Sequence, residues 1–357
     1  MFGFVDTPGL LLDSAVVEDN IRLMAENVRK AGKYLRPHLK NHKSPLLAHK
    51  QLAAGAIGIA CAKLGEAEVM VQAGIRSVLI TTELVGEQKI DRLVRLAPHA
   101  EIIAVFDNLS AARAVSAAAV TSGVAIGALV DVNVGQNRCG VLPGQPVLEL
   151  ARELTKLPGL TFLGLQGYEG HIQAVQSHDE RRRLCLQALD GLGLSRSLLR
   201  DHDIPVAIVT TAGTGTYGFA LEHDAVTEVQ PGSYILMDSN YAQLDRSFSV
   251  AVSVLTTVIS RPAAGWGIID AGYKAISTDA GAPLVKNRAD IVYVPAGDEH
   301  GRIEPRDGGP LDLEVGDRLE LVPSHTDTTT NLYDCFHVIS GGAVDGVWPI
   351  TARGKVQ

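Results

Sequence analysis

The chain has 357 residues, a formal net charge of −8, 46% hydrophobic residues and 20% charged residues. This composition is typical of a globular protein with room for one large and one smaller domain, and the negative charge disfavours nucleic acid or an anionic membrane surface as a partner. The four cysteines are scattered without a CxxC pair, and the first residues lack the basic region and apolar core of a signal peptide. We therefore predict a cytoplasmic protein without a disulfide framework, and no membrane span.

Short β-rich runs alternate with stretches of helical period up to about residue 245. Helical patterns include 14–32 and 178–194, and the β-rich runs lie at 33–40, 56–64, 77–84, 101–108, 125–132, 161–170, 207–215 and 228–236. Continuous apolar strands that alternate with helices indicate a parallel sheet covered by helices. Units of this kind, repeated eight times, fit a closed (β/α)8 barrel of the TIM type, and an open doubly wound sheet is the alternative.

The pattern changes after about residue 245. Runs such as "RSFSVAVSVLTTVISR", "ADIVYVPAG" and "CFHVISGGAVDGVWPITA" resemble strands separated by Gly and Pro turns, with no long helical pattern. We predict an α/β barrel over 14–245 and a C-terminal all-β domain that comprises 1–13 and 246–357.

The run "KYLRPHLKNHKSP" at 33–45 places Arg36, His38 and Lys40 on one face if it forms a strand. Barrel enzymes carry their chemistry at the C-terminal ends of the strands, where Lys40 would lie. A lysine beside positive groups has a lowered pKa and can act as the amine of a Schiff base. A solvated loop lysine is the alternative interpretation, and a zinc-binding helix is disfavoured because "HLKNH" lacks the glutamate of HExxH.

The segment "TTAGTGTYG" at 210–218 contains G-x-G-x-x-G, the pattern of dinucleotide-binding loops. That function is disfavoured because the segment follows the seventh predicted strand, whereas the dinucleotide motif belongs to the first βα unit. Barrels commonly bind phosphate with the loops after strands seven and eight, so a phosphate monoester fits better. A glycine-rich turn selected for its conformation is the alternative. The candidate donors lie in two loops: Gly213, Thr214, Gly215 and Thr216, and then Gly232, Ser233 and Tyr234.

Further polar residues follow the fifth and sixth predicted strands, namely Arg138, Tyr168 and His171. Together with Lys40 and the two loops they suit a phosphorylated aldehyde cofactor held by an amine. In the β domain, His325 and Asp327 are two residues apart in "PSHTDTTTNLYD" and would share a face on a strand. Imidazole with carboxylate is a plausible pair of ligands for a divalent metal, and a hydrogen-bonded surface pair is the alternative.

These motifs together resemble the fold-type III pyridoxal-phosphate enzymes, in the branch of D-threonine aldolase and D-serine dehydratase. The matching segments are "TPGLLLD", "RPHLKNHK", "VDVNVGQNRCG", "GTGTY", "QPGSYILMD" and "PSHTDTTTNLYD", in order over nearly the whole chain. The resemblance implies that Lys40 carries pyridoxal 5'-phosphate, that Arg138 faces the pyridine nitrogen, and that Tyr168 lies near the ring. On this interpretation His38 and Arg36 line the pocket below Lys40. It also implies a divalent metal, Mn, Mg, Co or Zn, on His325 and Asp327, and a homodimer.

The resemblance implies a lyase that cleaves D-configured β-hydroxy-α-amino acids to glycine and an aldehyde, with His171 or a metal-bound water as the base. D-threonine aldolases have H-x-D at the metal motif and D-serine dehydratases have H-x-C, so Asp327 favours the aldolase. A D-serine or 3-hydroxyaspartate dehydratase on the same site and a non-catalytic pyridoxal-phosphate carrier are the alternatives. The known carriers are small and lack the β domain.

Overall fold

The computed structural model describes residues 4–357, and the chain divides into two compact units. The first, here called the β unit, comprises the chain up to Leu23 together with Asn41–Leu46 and Ser233–Gly354. The second, here called the barrel unit, comprises Met24–Lys40, Leu47–Gly232 and Lys355–Gln357. The boundaries 14–245, 1–13 and 246–357 stay a prediction, and residues 1–3 lie outside the described residues.

Within the described chain, the strands are β1 (Gly9–Asp13), β2 (Tyr34–Leu35), β3 (Ile59–Cys61), β4 (Ser77–Ile80), β5 (Glu101–Phe106), β6 (Ile126–Val132), β7 (Leu160–Gly167), β8 (Ile208–Thr211), β9 (Glu228–Val229), β10 (Val252–Ala263), β11 (Trp266–Ile269), β12 (Leu284–Val285), β13 (Ile291–Pro295), β14 (Gly301–Pro305), β15 (Arg318–Val322), β16 (Cys335–Ser340) and β17 (Ala343–Pro349). The α-helices are α1 (Ser14–Lys30), α2 (Pro45–Ala53), α3 (Leu64–Gln72), α4 (Glu87–Leu96), α5 (Leu109–Ser122), α6 (Gln145–Leu154), α7 (His178–Arg200), α8 (Tyr217–Leu221), α9 (Tyr241–Leu244) and α10 (Thr326–Thr330). Short 3-10 helices lie at Leu39–Asn41, Gly170–Ile172 and Ser233–Ile235. Across residues 4–357, we find no helix long and apolar enough to cross a membrane.

The barrel unit is built on a parallel sheet whose eight strands, as far as the chain is described, run in the order β2, β9, β8, β7, β6, β5, β4, β3. A parallel bridge between His38 and Ala60 joins the two ends of this sheet. Two backbone hydrogen bonds support it, from the N–H of Ile57 to the carbonyl of Leu35 and from the N–H of Ala60 to the carbonyl of Pro37. The predicted barrel with its covering helices is therefore confirmed.

The barrel interior is filled at mid-height by apolar side chains. Leu79, Ile103, Val105 and Leu129 form a buried cluster. A side chain at Gly127 would collide with the neighbouring apolar side chains, because its Cβ would lie 2.7 Å from Cδ1 of Leu163. Close packing at this level leaves the ends of the barrel to carry its polar groups.

The sequence pattern indicated one strand over 33–40, but the structure has only a short strand in this segment. Strand β2 ends at Leu35, and the N–H groups of Arg36 and His38 continue the pairing by donating to the carbonyls of Val229 and Pro231. Pro37 has no N–H to offer, and the chain then turns into the 3-10 helix Leu39–Asn41. Lys40 therefore lies on a helical turn just beyond the strand.

Arg36 was expected to line the pocket below Lys40, and the structure places it in a buried ion pair instead. Its Nε lies 3.1 Å from Oε1 of Glu228 at the start of β9, and the two side chains are only 3% and 2% exposed. Its Nη1 also donates to Oγ of Ser77, 2.9 Å away, at the start of β4. Gly58 leaves room for this arrangement, since any Cβ there would collide with the guanidinium. Arg36, which follows β2, thus links the starts of β9 and β4, which lie on the two sides of the junction of β2 with β3 that closes the barrel.

The β unit confirms the predicted all-β domain. In the described chain its sheet has the order β11, β14, β13, β12, β15, β10, β1, β16, β17, and an additional pairing of β11 with β10 closes the first six of these strands into a ring. Strand β1, from the beginning of the chain, pairs antiparallel with β10 and parallel with β16. Val5, Leu11, Leu255 and Ile339 form a buried core cluster on this part of the sheet.

Candidate functional site

Most predicted cofactor residues of the barrel unit follow neighbouring strands. Lys40 comes after β2, Gly232 after β9, Gly213 after β8, Tyr168 after β7 and Arg138 after β6, and these strands are consecutive in the sheet. Because the carboxyl ends of parallel strands meet at the same rim, the topology collects these residues at one side of the barrel mouth.

The Tyr168 ring lies near the two cationic side chains of the predicted site. Nζ of Lys40 is 6.0 Å from the ring centroid, and the guanidinium carbon of Arg138 is 5.7 Å from it. Cations at this distance are attracted by the electron-rich face of an aromatic ring. The structure thus brings together three of the predicted residues, and Lys40 as a whole is half-buried.

His171 is the exposed residue of the 3-10 helix Gly170–Ile172, whose Ile172 is buried. Its ring packs beside Gly135 in the loop after β6, where an added Cβ would lie 3.2 Å from Nε2 of the histidine. This loop also carries Arg138. The role of His171 as a base stays a prediction.

His38 holds the turn on which Lys40 lies. Its Nδ1 accepts a hydrogen bond of 3.2 Å from the backbone N–H of Lys40, and its Nε2 lies 3.2 Å from Oγ1 of Thr81 after β4. Since Nδ1 is an acceptor, the neutral ring carries its proton on Nε2 and donates it to Thr81. His38 therefore acts on the backbone of Lys40 as well as lining the barrel mouth.

A chain of polar side chains crosses the barrel interior near the mouth. Nε2 of Gln166 on β7 donates to Oδ1 of Asp131 on β6, at 3.0 Å, and to the carbonyl of Thr81, at 3.3 Å. Nε2 of Gln230 donates to Oε1 of Gln166, at 3.4 Å, and to Oγ1 of Thr210, at 2.7 Å. Because β7 and β4 are not neighbours in the sheet, the bond to Thr81 passes through the interior. This network forms a polar layer above the apolar core.

Asp131 carries the most perturbed carboxyl of this layer. Burial, together with the nearby carboxylates of Glu83 and Asp107, raises the pKa of Asp131 to about 8, although the hydrogen bond from Gln166 opposes the shift. Asp131 is therefore largely protonated at neutral pH. Burial likewise raises the pKa of the neighbouring Cys139 thiol to about 11, so this cysteine is not an activated nucleophile.

Several donors of the glycine-rich loop after β8 have partners within the protein. The N–H of Gly213 donates to Oγ1 of Thr216, the N–H of Gly215 to Oε1 of Gln173, and the N–H of Thr216 to the carbonyl of Gly213. The Thr216 hydroxyl donates to Glu169. The N–H groups of Gly213, Gly215 and Thr216 and the Thr216 hydroxyl thus already have partners within the protein, and the predicted contact of this loop with a phosphate stays a prediction.

The second predicted loop begins at Gly232, and an added Cβ there would lie 2.9 Å from the carbonyl oxygen of His38, so the close approach of two backbones requires glycine. In the β unit, Ser233 begins a 3-10 helix, and Tyr234 is fully buried with its ring 5.7 Å from that of Phe248. The Tyr234 ring is thus part of the core of the β unit, and the predicted role of Tyr234 in phosphate binding stays a prediction.

His325 and Asp327 do lie together in the β unit, but on different backbone from that predicted. His325 is the extended residue before α10 and Asp327 lies in the first turn of that helix, so they do not share the face of a strand. Nε2 of His325 is 3.3 Å from Oδ2 of Asp327, and its Nδ1 is 2.7 Å from Oδ2 of Asp279. The hydrogen bond with Asp327 raises the pKa of His325 to about 9. Among the described residues, no group of three or more His, Cys, Asp or Glu has the arrangement of a complete metal site.

Several polar residues of these clusters were missed from the sequence. Asp279 lies in an irregular segment, and Asp238, whose pKa burial raises to about 6, ends the motif "QPGSYILMD". Glu169 and Gln173 lie beside the predicted Tyr168 and His171, so a search of all polar residues after β7 could have found them. No periodic signal marks Asp279, because its position depends on the folding of an irregular loop.

Comparison with known proteins supports a single relationship over the whole chain. The family model "Alanine racemase, N-terminal domain" matches residues 12–240, and the model "Putative serine dehydratase domain" matches residues 251–339. The chain is 41% identical to a D-threonine aldolase of Arthrobacter sp. over 98% of this chain and 93% of the relative. It is 35% identical to a 3-hydroxy-D-aspartate aldolase of Paracoccus denitrificans (strain Pd 1222), with the same coverage.

A solved structure has the same fold over nearly its full length. The crystal structure of D-threonine aldolase from Filomicrobium marinum superposes with a TM-score of 0.95 and 39% sequence identity, covering 99% of this chain and 97% of that one. The family relationship indicated by the sequence motifs is thus confirmed.

Proposed function

Since the chain belongs to the family of the alanine racemase N-terminal domain, we propose that it is a carbon–carbon lyase that uses pyridoxal phosphate and a divalent metal to cleave D-configured β-hydroxy-α-amino acids into glycine and an aldehyde. Two aldolases that match this chain over 98% of its length support the reaction class. The observation that carries the proposal is the grouping of Lys40, Tyr168 and Arg138 at one barrel rim.

The residues of the barrel unit fit pyridoxal phosphate. The amine of the half-buried Lys40 suits an aldehyde, and the guanidinium of Arg138, on the same tyrosine ring, suits an acceptor nitrogen. When bound, pyridoxal phosphate supplies an electron sink for the electron pair that is released as the Cα–Cβ bond breaks. Arg138 cannot give up its proton, so it would donate a hydrogen bond to the pyridine nitrogen without protonating it.

The protein's own groups then have separate tasks. Lys40 would hold the cofactor through its amine, and His38 would keep the Lys40 backbone in place through the hydrogen bond at Nδ1. Tyr168 would position the cofactor ring from its place near Lys40 and Arg138. We assign to His171 the removal of the proton from the substrate hydroxyl, because it is an exposed imidazole on the loop that follows Tyr168.

The pair in the β unit fits a catalytic divalent ion. Nε2 of His325 and Oδ2 of Asp327 would be the protein ligands, and Asp279 would fix the ring through Nδ1, as carboxylates commonly do for histidines that bind metals. Two protein ligands leave positions for other oxygens, as a catalytic site requires. When bound, the ion supplies Lewis acidity that lowers the pKa of a substrate hydroxyl. Mn, Mg, Co and Zn are all compatible with these ligands.

A dehydratase is the second candidate, because residues 251–339 match a model named for serine dehydratase. Incubation of the holoenzyme with D-threonine and added Mn²⁺ separates the two reactions. We expect glycine and acetaldehyde in equal amounts, and L-threonine, the matched control, should give neither. Formation of 2-oxobutanoate and ammonia would exclude the aldolase, and bound cofactor without turnover of any β-hydroxy amino acid would favour a carrier.

We further propose that the enzyme is a cytoplasmic homodimer, as the resemblance to the family implies. Size-exclusion chromatography with light scattering would measure a mass near twice 37.9 kDa if the dimer is correct. A mass of one chain at micromolar concentration would exclude it.

A further inference from the structure

The loop between β7 and α7 contains a carboxylate that the proposed reaction does not use. Glu169 is fully buried. Its Oε2 accepts a hydrogen bond of 2.8 Å from Oγ1 of Thr211 at the end of β8, and its Oε1 accepts from Oγ1 of Thr216 and, at 3.3 Å, from Nε2 of Gln173. Burying a carboxylate costs free energy unless several donors satisfy it, so the fold must supply the hydrogen bonds of this cluster.

Gln173 contributes further hydrogen bonds to this cluster. Its Oε1 accepts the N–H of Gly215 at 2.9 Å, and its Nε2 donates to Oγ1 of Thr216 at 2.7 Å. An added Cβ at Gly213 or at Gly215 would lie 2.5 Å from Gln173 atoms. The two glycines of the motif are therefore explained by the close approach of Gln173, and the shape of the loop is set by this residue.

The hydroxyl of Thr216 is the centre of the cluster. It donates to Glu169 and accepts from Gln173 and from the N–H of Gly213. With one donor and two acceptor positions, a hydroxyl bonded in this way has no capacity left for an anion. A negative charge at Glu169 would also repel a phosphate, so neither residue is suited to bind the cofactor directly.

We propose that Glu169, Gln173 and Thr216 are positioning residues that hold the loop 213–216 in the conformation that binds the cofactor phosphate. This inference rests on the proposed use of pyridoxal phosphate. The neighbouring residue Ala212 has a φ of +72°, a conformation that is strained for a residue with a side chain. The cluster supplies the hydrogen bonds that keep the backbone in this conformation, and without them the loop relaxes.

The test compares pyridoxal 5'-phosphate with pyridoxal, which has the same ring and aldehyde and lacks the phosphate. Thr216→Val keeps the shape of the side chain and removes all three hydrogen bonds. We expect it to weaken the binding of pyridoxal phosphate by about tenfold or more and to leave that of pyridoxal unchanged, because only the phosphate contacts depend on the loop. Dissociation constants come from titration of the apoprotein, followed by absorbance.

Thr227→Val is the matched control. Oγ1 of Thr227, the residue before β9, accepts the N–H of Val209 on β8 at 2.8 Å. The Thr227→Val variant therefore loses a hydrogen bond between the ends of these two strands and outside the loop 213–216. We expect no change in the ratio of the two dissociation constants. Gln173→Met is the second variant, for use if Thr216→Val does not fold by circular dichroism, and it should shift the ratio in the same direction.

The outcomes separate the inference from the proposed function. If the wild-type protein binds neither compound, the cofactor assignment fails. If the wild-type protein prefers the phosphorylated compound and the folded Thr216 and Gln173 variants keep that preference, the positioning role is wrong. Equal loss of both ligands in these variants would also overturn it, because such a result indicates a general defect of the pocket.

Discussion

The buried pair of Arg36 and Glu228 allows a stringent test of how the barrel is closed. Replacing Arg36 with Met removes the cation and leaves the carboxylate of Glu228, which is 2% exposed, without its partner. Breaking a buried ion pair by removing one member typically costs about 3–5 kcal/mol, because the remaining charge is buried and uncompensated. The hydrogen bond of 2.9 Å to Ser77 is lost as well. We therefore expect Arg36→Met to lower the free energy of unfolding by about 3–5 kcal/mol.

The same substitution at an exposed pair provides the control. Arg22 lies 2.7 Å from Asp19 on α1, and the two side chains are 66% and 71% exposed. Exposed pairs contribute less than about 1 kcal/mol, so Arg22→Met should change the stability little. The double variant Arg36→Met/Glu228→Met removes both buried charges, and we expect it to be more stable than Arg36→Met alone.

Urea unfolding of the holoenzyme, followed by fluorescence at saturating pyridoxal phosphate, measures all four proteins. An Arg36→Met protein within about 1 kcal/mol of the wild type would refute the reasoning, because a buried uncompensated carboxylate cannot be that inexpensive. So would a double variant less stable than the single one. If Arg36→Met instead keeps its stability and loses the absorbance of bound cofactor, the original expectation that Arg36 lines the pocket would regain support.

Three further predictions concern the site. Lys40→Ala should abolish the visible absorbance of the bound cofactor and its fixation by borohydride, whereas Lys30→Ala, on an exposed part of α1, should leave both unchanged; a label on Lys43 after borohydride would show that the wrong lysine is assigned. Treatment with EDTA should abolish lyase activity and leave the cofactor absorbance intact, and Asp327→Ala should contain little metal by elemental analysis; full activity without detectable metal would exclude the metal site. Because burial raises the pKa of Asp131 to about 8, the folded protein keeps a proton that the unfolded chain loses above its ordinary pKa of 3.8, so stability falls as the pH rises through this window. Asp131→Asn should therefore gain more stability over the wild type at pH 8 than at pH 5 in thermal unfolding, and an equal difference at both values would contradict the assignment.

The sequence predicted those features that depend on periodicity and chain order. The apolar runs 101–108 and 125–132 correspond to β5 and β6 with nearly the predicted bounds. Continuous apolar strands are buried on both faces and tolerate few other residues, so their pattern is easy to recognise. The all-β domain that the strand-like runs predicted is confirmed, whereas its boundary at residue 245 stays a prediction. Lys40 and Arg138 were expected beside Tyr168 because strand ends of a barrel converge, and the structure places both cations near that ring.

The errors have a common physical origin, which is that polar groups pair across distances no local pattern records. Arg36 was assigned to the pocket because it alternates with His38, but its partner Glu228 is 192 positions away. The donors of the glycine-rich loop were counted as available because the sequence does not reveal that Gln173 already binds Gly215. His325 and Asp327 were expected on a strand, and they meet across a helix start instead.

The segment from Arg36 to Lys40 can now be explained residue by residue. Arg36 binds Glu228 next to the junction of β2 with β3 that closes the barrel. Pro37 cannot donate to the sheet, and its carbonyl accepts a hydrogen bond from the N–H of Ala60. His38 makes the last bridge to Ala60 and then accepts the N–H of Lys40 on its ring, so the chain leaves the sheet in a tight turn. The hydrogen bonds of Arg36 and His38 thereby hold Lys40 near Tyr168. A lysine placed on the strand itself would be confined by the ladder, whereas one on the turn that follows can offer its amine at the barrel mouth.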